Sequence, residues 1–394
     1  MYKNKRTKAV IATLAFTLSV LILLAGCGAK QTGSDSSSGS DSSSGEQNKS
    51  IRIGLSGSLS GSTASWGVDY RDAALLAVEE INKSGGILGQ KVELLPEDDM
   101  MTNEGALSVA NRLISDKVLA VLGPLSSTTA ITTGQIYKDG QVLMFPPASN
   151  PKVTEMGFDN LFRVSPKDNK FGELDAKIAF EKLGAKTAVV IHDNGTYSKG
   201  LATYFEDVFE QLGGKVIDFE AITPGEKDYS PILTKIKSLK PDLIYYSGYY
   251  PEGAALVKQG KALGLDTKFL MGNSNYDEQF IELAGEAANG VVMETLTPVT
   301  MINSEQAQTY TKNYREKYGR EPGFLGHLSY DSMYILKQAI EKANSTDYQK
   351  VRSTLLDMNG FNGIGGKVAF EKNGDIKDAP YIVLTVKDGK FVPY

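Results

Sequence analysis

The sequence predicts an α/β protein of two lobes, and three observations carry that prediction. From Ser50 onward, short apolar runs alternate with amphipathic stretches of helical length. Two of the runs, Ala120-Val121-Leu122 and Ala188-Val189-Val190-Ile191, are apolar without interruption. Strands covered by helices on both faces have that character. The alternation also repeats as a second set from Lys170, with enough chain for a second core. Right-handed βαβ units and parallel sheets follow from this order.

Each element has its own signal. Residues 51–55 read as a strand. A helix over 68–83 carries Ala73, Leu76, Ala77 and Ile81 at helical spacing, and Gly85-Gly86 stops it. The first set continues with a strand at 91–95, a helix at 103–115, a strand at 118–122, a short helix at 127–137 and a strand at 142–145. The second set places helices at 170–183, 197–212, 230–239 and 253–263. Its strands fall at 187–191, 215–221, 242–246, 268–271 and 291–294. After Val299 the pattern turns helical at 304–318, 324–342 and 347–357, then strand-like at 367–371, 381–386 and 390–392. That remainder is too little for a third core, so it is expected to return and complete the two earlier sheets through several crossings between the lobes.

The first 26 residues set Lys3, Lys5, Arg6 and Lys8 ahead of an apolar stretch from Ala9 to Ala25, and Ala25-Gly26 precedes Cys27, the sole cysteine. Basic, apolar, small and then cysteine is the order of a bacterial lipoprotein signal peptide. The apolar stretch also approaches membrane-spanning length, so a retained transmembrane helix is the alternative. The small Ala-Gly pair opens the backbone to a peptidase. The expectation is therefore cleavage before Cys27 and a diacylglycerol on its sulfur, since two acyl chains make a stable anchor. Residues 27–49 then form a Gly/Ser/Asp tether that cannot offset its own ordering entropy. Random-coil scaling lets it hold the body about 25 Å from the outer face of the cell membrane.

Loss of the leader removes four basic and no acidic residues and moves the formal net charge from −5 to −9. A mildly acidic body argues against nucleic acid as a partner. A single, lipidated cysteine leaves no internal disulfide. The two histidines, His192 and His327, are far apart and make no zinc cluster. No phosphate loop or dinucleotide loop occurs, and Asp98-Asp99 reads as a solvated loop end, or as structural bonds to the neighbouring helix, rather than a catalytic pair. Neither an enzyme nor a cofactor is expected.

An ordered set of segments resembles the Leu/Ile/Val-binding proteins of ABC transporters. The opening carries Ile53-Gly54-Leu55, Gly61, Trp66-Gly67, Glu80-Ile81-Asn82 and Gly85-Gly86-Ile87-Leu88-Gly89. Gly123-Pro124-Leu125-Ser126-Ser127, Pro147-Ala148-Ser149, His192-Asp193, Tyr197, Gly225-Glu226-Lys227-Asp228-Tyr229, Tyr245 through Glu252 and Leu283-Ala284-Gly285-Glu286 follow in order. The resemblance implies the type I periplasmic-binding-protein architecture: two Rossmann-like lobes, three crossovers and a ligand cleft. It divides the chain into one lobe of 50–166 plus 299–379 and another of 167–298 plus 380–394. It implies capture of an amino acid, branched-chain first, for an ABC permease and its ATPase, by a monomer. The alternative is a sensor of another amino acid or short amide, coupled to a receptor.

A free amino acid brings a carboxylate that is costly to bury unpaired. A helix N-terminus offers converging N–H groups for it. Leu125, Ser126 and Ser127 follow a strand and open a helix, and Ala148 and Ser149 follow the next strand. Ligand sites in open α/β sheets lie beyond the carboxyl ends of strands, which also suits Tyr197 and Tyr249. The resemblance assigns the two loops to the ligand's carboxylate and ammonium, Trp66 to its side-chain pocket, and Tyr197 and Tyr249 to closure from the second lobe. For Ser127 the competing role is plain helix capping; for the aromatics it is ordinary packing. The family commonly has an acid for the ammonium in the loop that here reads Asn273-Ser274-Asn275-Tyr276-Asp277. Asp277 either takes that role or caps the helix behind it.

Overall fold

The computed structural model describes residues 50–376 and 380–394, so Cys27, the leader and the tether lie outside the described residues. The first lobe begins β1 (Ile51–Gly57), α1 (Ala64–Lys83), β2 (Val92–Asp98), α2 (Asn103–Ser115), β3 (Ala120–Leu122), α3 (Ser127–Asp139) and β4 (Leu143–Phe145), followed by the one-turn α4 (Lys152–Glu155). Its strands pair in parallel in the order β2-β1-β3-β4. Alternation along β3 serves both faces. Ala120 and Leu122 join the core with Ala74, Ala77 and Ile81 of α1, while Val121 joins Ala110 and Leu113 of α2 and Tyr137 of α3.

The second lobe repeats the plan with α5 (Asp168–Lys177), β5 (Thr187–His192), α6 (Thr196–Gln211), β6 (Lys215–Ala221), α7 (Ser230–Leu239), β7 (Leu243–Tyr246), α8 (Tyr250–Ala262), β8 (Lys268–Met271), α9 (Glu278–Ala284) and β9 (Val292–Leu296). β6-β5-β7-β8-β9 is again a parallel sheet with its first strand inside. The helix expected over 170–183 is not uniform: α5 ends at Lys177 and a wider π turn runs Ile178–Lys182.

The late helices α10 (Glu305–Tyr318), α11 (Gly326–Ala343) and α12 (Tyr348–Asp357) return to the first lobe, where α11 packs along α1. Asp69 fixes that return. Its buried carboxylate accepts the N–H groups of Gly323 and Gly326 at 2.8 and 2.6 Å and the Tyr314 hydroxyl at 3.0 Å. One expectation for the chain's end is corrected. The strand-like 367–371 does not complete the first sheet; β10 (Phe361–Gly363) and β11 (Gly366–Val368) form a separate two-stranded hairpin. Only three residues pair on each side, too few to reach a sheet already flanked by helices. β12 (Tyr381–Lys387) and β13 (Lys390–Pro393) do complete the second sheet, antiparallel beside β9. The chain thus leaves the first lobe after β4, returns after β9 and leaves again before β12.

Candidate functional site

The C-terminal ends of both sheets face one another, and the loops leaving them enclose a cavity with about 470 Å³ of atom-free space, its mouth included. From the first lobe come Trp66, Leu125, Ser126, Ser127, Ala148 and Ser149; from the second come Tyr197 and Tyr249. Eight of the nine residues expected at a ligand site therefore line one space. Asp277 does not. Its Oδ1 accepts the Gln279 N–H at 2.8 Å as the N-cap of α9, and its Oδ2 accepts the Ser65 hydroxyl at 2.6 Å. Both of its oxygens are engaged by these partners, one of them as a helix cap.

One wall is built to receive negative charge. Ser126 caps α3, its Oγ accepting the Thr129 N–H at 3.1 Å. Ser127 Oγ accepts the Asn150 N–H at 3.1 Å and so joins the β3 loop to the β4 loop. Ser126 thus caps α3 and Ser127 bridges the two loops instead of capping, while both stand at the cavity wall. The β4 loop is held from behind by Arg163. Its Nη1 donates to the carbonyls of Ala148 and Asn150 at 2.7 and 2.9 Å, and its Nη2 to Thr154 Oγ1 at 2.8 Å. Its Nε meets Asp375 Oδ1 at 2.9 Å, with both side chains at most 1% exposed.

Buried carboxyls lie close to this wall. Asp168, the first residue of α5, does not itself line the cavity; it falls in sequence between the lining residues Ser165 and Phe171, and its N–H donates to the Ser149 carbonyl at 2.9 Å. Neither oxygen of its carboxyl has a hydrogen-bond partner within the protein. Burial pushes that carboxyl up from 3.8 to about 7, against the opposing pull of Ser149 and Arg163. Deeper in, Asp175 and Glu294 are raised well above ordinary values by burial, and each is the other's neighbour. Glu294 Oε1 accepts the Asn273 N–H at 3.2 Å, and Asn273 Oδ1 accepts the Tyr197 hydroxyl at 3.0 Å. Asn273 and Ser274 line the cavity at the position where sequence reasoning sought an acid.

The remaining walls are apolar. Trp66 is 4% exposed and has its ring within 5.5 Å of Tyr249, 5.7 Å of Tyr250 and 6.2 Å of Phe324. Leu296, Phe324, Leu325 and Leu328 were not singled out by sequence. They come from the end of β9 and the entry to α11, which no local pattern places beside Trp66. Asp168 also passed unremarked, because Ser-Pro-Lys-Asp before a helix reads only as a helix start.

The lobes are shut over the cavity. On one rim Ser65 Oγ donates to Asp277 Oδ2, and the Tyr250 hydroxyl donates to the Ser62 carbonyl at 2.7 Å. On the other, Asn150 Nδ2 donates to the Thr196 carbonyl at 2.8 Å and the Thr196 N–H donates to Thr128 Oγ1 at 3.2 Å. A Cβ on Gly200 would stand 2.2 Å from Asn150 Nδ2, so this approach requires glycine in α6. Among the described residues no cluster of three His, Cys, Asp or Glu is placed to hold a metal ion.

Comparison with known proteins agrees with this geometry. The family described as "Periplasmic binding protein" matches residues 50–390. The chain is 32% identical over 334 residues to the leucine-, isoleucine-, valine-, threonine- and alanine-binding protein of Pseudomonas aeruginosa, covering 84% of this chain and 89% of that one. Among solved structures, the leucine binding protein LivK of Thermotoga maritima superposes with a TM-score of 0.82 at 32% identity, covering 87% of this chain and 97% of that one. LivJ of Streptococcus pneumoniae, in complex with isoleucine, gives 0.81 at 30% identity, covering 87% and 98%. With a closed interlobe cavity, two sheets of matching order and this match along its length, the chain belongs to the periplasmic binding protein family, type I in fold, whose members bind solutes outside the cytoplasm and are not enzymes.

Proposed function

We propose that the protein captures a branched-chain amino acid in the interlobe cavity and delivers it to an ABC permease driven by an ATPase. The observation that carries this reading is the cavity's division of labour. Free N–H groups at the start of α3 and the hydroxyls of Ser126, Ser127 and Ser149 suit a carboxylate. The unpaired, buried Asp168 carboxyl suits an ammonium. Trp66, Leu125, Leu296, Phe324 and Leu328 suit an aliphatic side chain. The relatives named for leucine, isoleucine and valine support the same ligand class. Asp168 then replaces, from a different loop, the acid absent at Asn273-Ser274.

In this reading the lobes comprise 50–166 with 299–379 and 167–298 with 380–394. A ligand that touches both favours the shut form over the open one by its differential contacts. The basic, apolar and small leader ending at Cys27 supports a lipid anchor, and a tethered monomer suits presentation of both lobe tips to a permease. Calorimetric titration of the purified protein with the common amino acids tests the ligand. Leucine, isoleucine and valine are expected to bind more tightly than aspartate or lysine; no heat from any amino acid would refute the proposal. Cys27→Ser is expected to abolish lipid attachment and leave residues 1–26 uncleaved, which mass spectrometry of the intact protein reads.

A further inference from the structure

A second cavity abuts the first. It has about 730 Å³ of atom-free space, mouth included, and is bordered by Val164, Thr297 and Pro380, which flank the passages of the chain between lobes. Two side chains line both cavities: Leu296 at the end of β9 and Leu328 in α11. They are 5% and 8% exposed. One comes from each lobe, so both lobes contribute to the partition between the cavities.

We propose that Leu296 and Leu328 set the largest side chain the protein accepts, by walling the amino-acid site off from this second cavity. The inference rests on reading the first cavity as an amino-acid site. There the charged groups of the ligand are drawn to the serine loops and Asp168, which leaves the side chain against the apolar walls. Beyond the partition the lining is again largely apolar, with Val164, Val368, Ile376 and Pro380. Lys367 also borders it but is exposed to solvent, and its buried polar groups offer little to a charged tail. Asp331 already accepts the Ile364 N–H on both oxygens, at 3.1 and 2.9 Å. Burial pulls His327 down to about 4, so its imidazole is neutral. The space suits a benzyl group, and Leu328 denies access to it.

The test is calorimetric titration of the full-length protein and its Leu328→Ala and Leu328→Met variants with leucine and phenylalanine. Wild type is expected to prefer leucine. Leu328→Ala is expected to shift the phenylalanine-to-leucine affinity ratio by about tenfold or more, the range that single side-chain groups command in apolar pockets. Leu328→Met keeps the volume but has an unbranched chain that can swing aside, so it should shift the ratio the same way and less. Adding Thr297→Trp to Leu328→Ala fills the second cavity from beyond and should cancel the gain. A folded Leu328→Ala protein with the wild-type ratio overturns the proposal, and if that variant does not fold, an unchanged ratio in Leu328→Met overturns it. A gain that survives Thr297→Trp also overturns it, because the first cavity alone would then account for the effect. Wild type that binds no amino acid removes the underlying reading, whereas leucine binding with an unmoved ratio removes the partition alone.

Discussion

Trp66 and Tyr249 meet edge to face across the cleft, with ring centroids 5.5 Å apart and planes at 68°. One ring belongs to the first lobe and the other to the second, so the contact exists only while the lobes are shut. Tyr249 is also the N-cap residue of α8, and its side chain makes no capping bond. Its ring is therefore free to serve the cleft. Tyr249→Ala should weaken amino-acid binding by about 1.5–3 kcal/mol from lost burial, roughly ten- to a hundredfold. Unfolding should change little, because α8 keeps its cap backbone. Titration calorimetry alongside a thermal melt checks both halves, and unchanged affinity removes Tyr249 from the site.

The Ser65–Asp277 bond at 2.6 Å is a second contact made only in the shut form. Asp277 caps α9 as well, so replacing it would mix closure with helix stability. Ser65→Ala separates the two, since it leaves the cap intact. The variant should bind ligand about 1.5–3 kcal/mol more weakly, the range for a hydrogen bond to a charged group. The loss should appear mainly as faster dissociation, with the melting temperature of the empty protein unmoved. Stopped-flow dissociation kinetics read this directly, and a wild-type rate would show that the latch does not hold the closed state.

The fold was legible wherever local pattern decides it. The bounds of α2, β6, α7 and β8 match their sequence signals residue for residue, because each has a periodic face and a clear stop. The serine loops were legible as cavity lining because strand-then-helix junctions fall at the carboxyl ends of the strands. What escaped was contact across distance. Leu328 meets Trp66's cavity only because Asp69 ties the entry of α11 to α1, and nothing near residue 328 announces that tie. Asp277 was ambiguous between ligand and cap, and three-dimensional placement gave it to the cap. Asp168 was missed because an acid beginning a helix is ordinary until both its oxygens prove to be buried without partners.

Arg163 and Asp375 should matter to stability rather than to ligand contact. The guanidinium spends its donors on the carbonyls of Ala148 and Asn150, on Thr154 and on Asp375, all inside the protein. Arg163→Met would leave Asp375 with Lys167, whose Nζ lies 2.9 Å away, as its remaining ion pair and would take the donor from the Ala148 carbonyl, while the Asn150 carbonyl keeps the Val153 N–H at 3.1 Å. Breaking a buried pair from one side costs about 3–5 kcal/mol. Urea unfolding should show a loss of that order. Arg163→Lys should fall between, since one ammonium cannot reproduce the fork. A variant as stable as wild type would show that the β4 loop needs no such brace.

On the proposed reading, Asp168 should make binding depend on pH, with a sign that follows from its environment. With the lobes shut, burial holds its carboxyl at about 7, above the ordinary 3.8, with Ser149 and the Arg163 charge opposing the shift. Asp175 and Glu294 are the other buried acids of this region, and the charges of Asp168 and Glu294 act on each other. A raised carboxyl favours the empty protein when protonated, so this group's contribution to stability falls as pH rises from about 4 to about 7 and is flat above that. An ammonium beside it requires the ionised form. Below pH 7 binding must therefore expel a proton, and affinity should fall by up to about tenfold per pH unit on the acid side. Above pH 7 affinity should level off, and the ligand should raise the melting temperature more at pH 8 than at pH 6. Calorimetry at pH 6 in two buffers of different ionisation enthalpy should detect the released proton. Asp168→Asn should bind weakly and lose both the proton release and the pH slope. A variant that keeps the slope would move the titrating group to the Asp175–Glu294 pair.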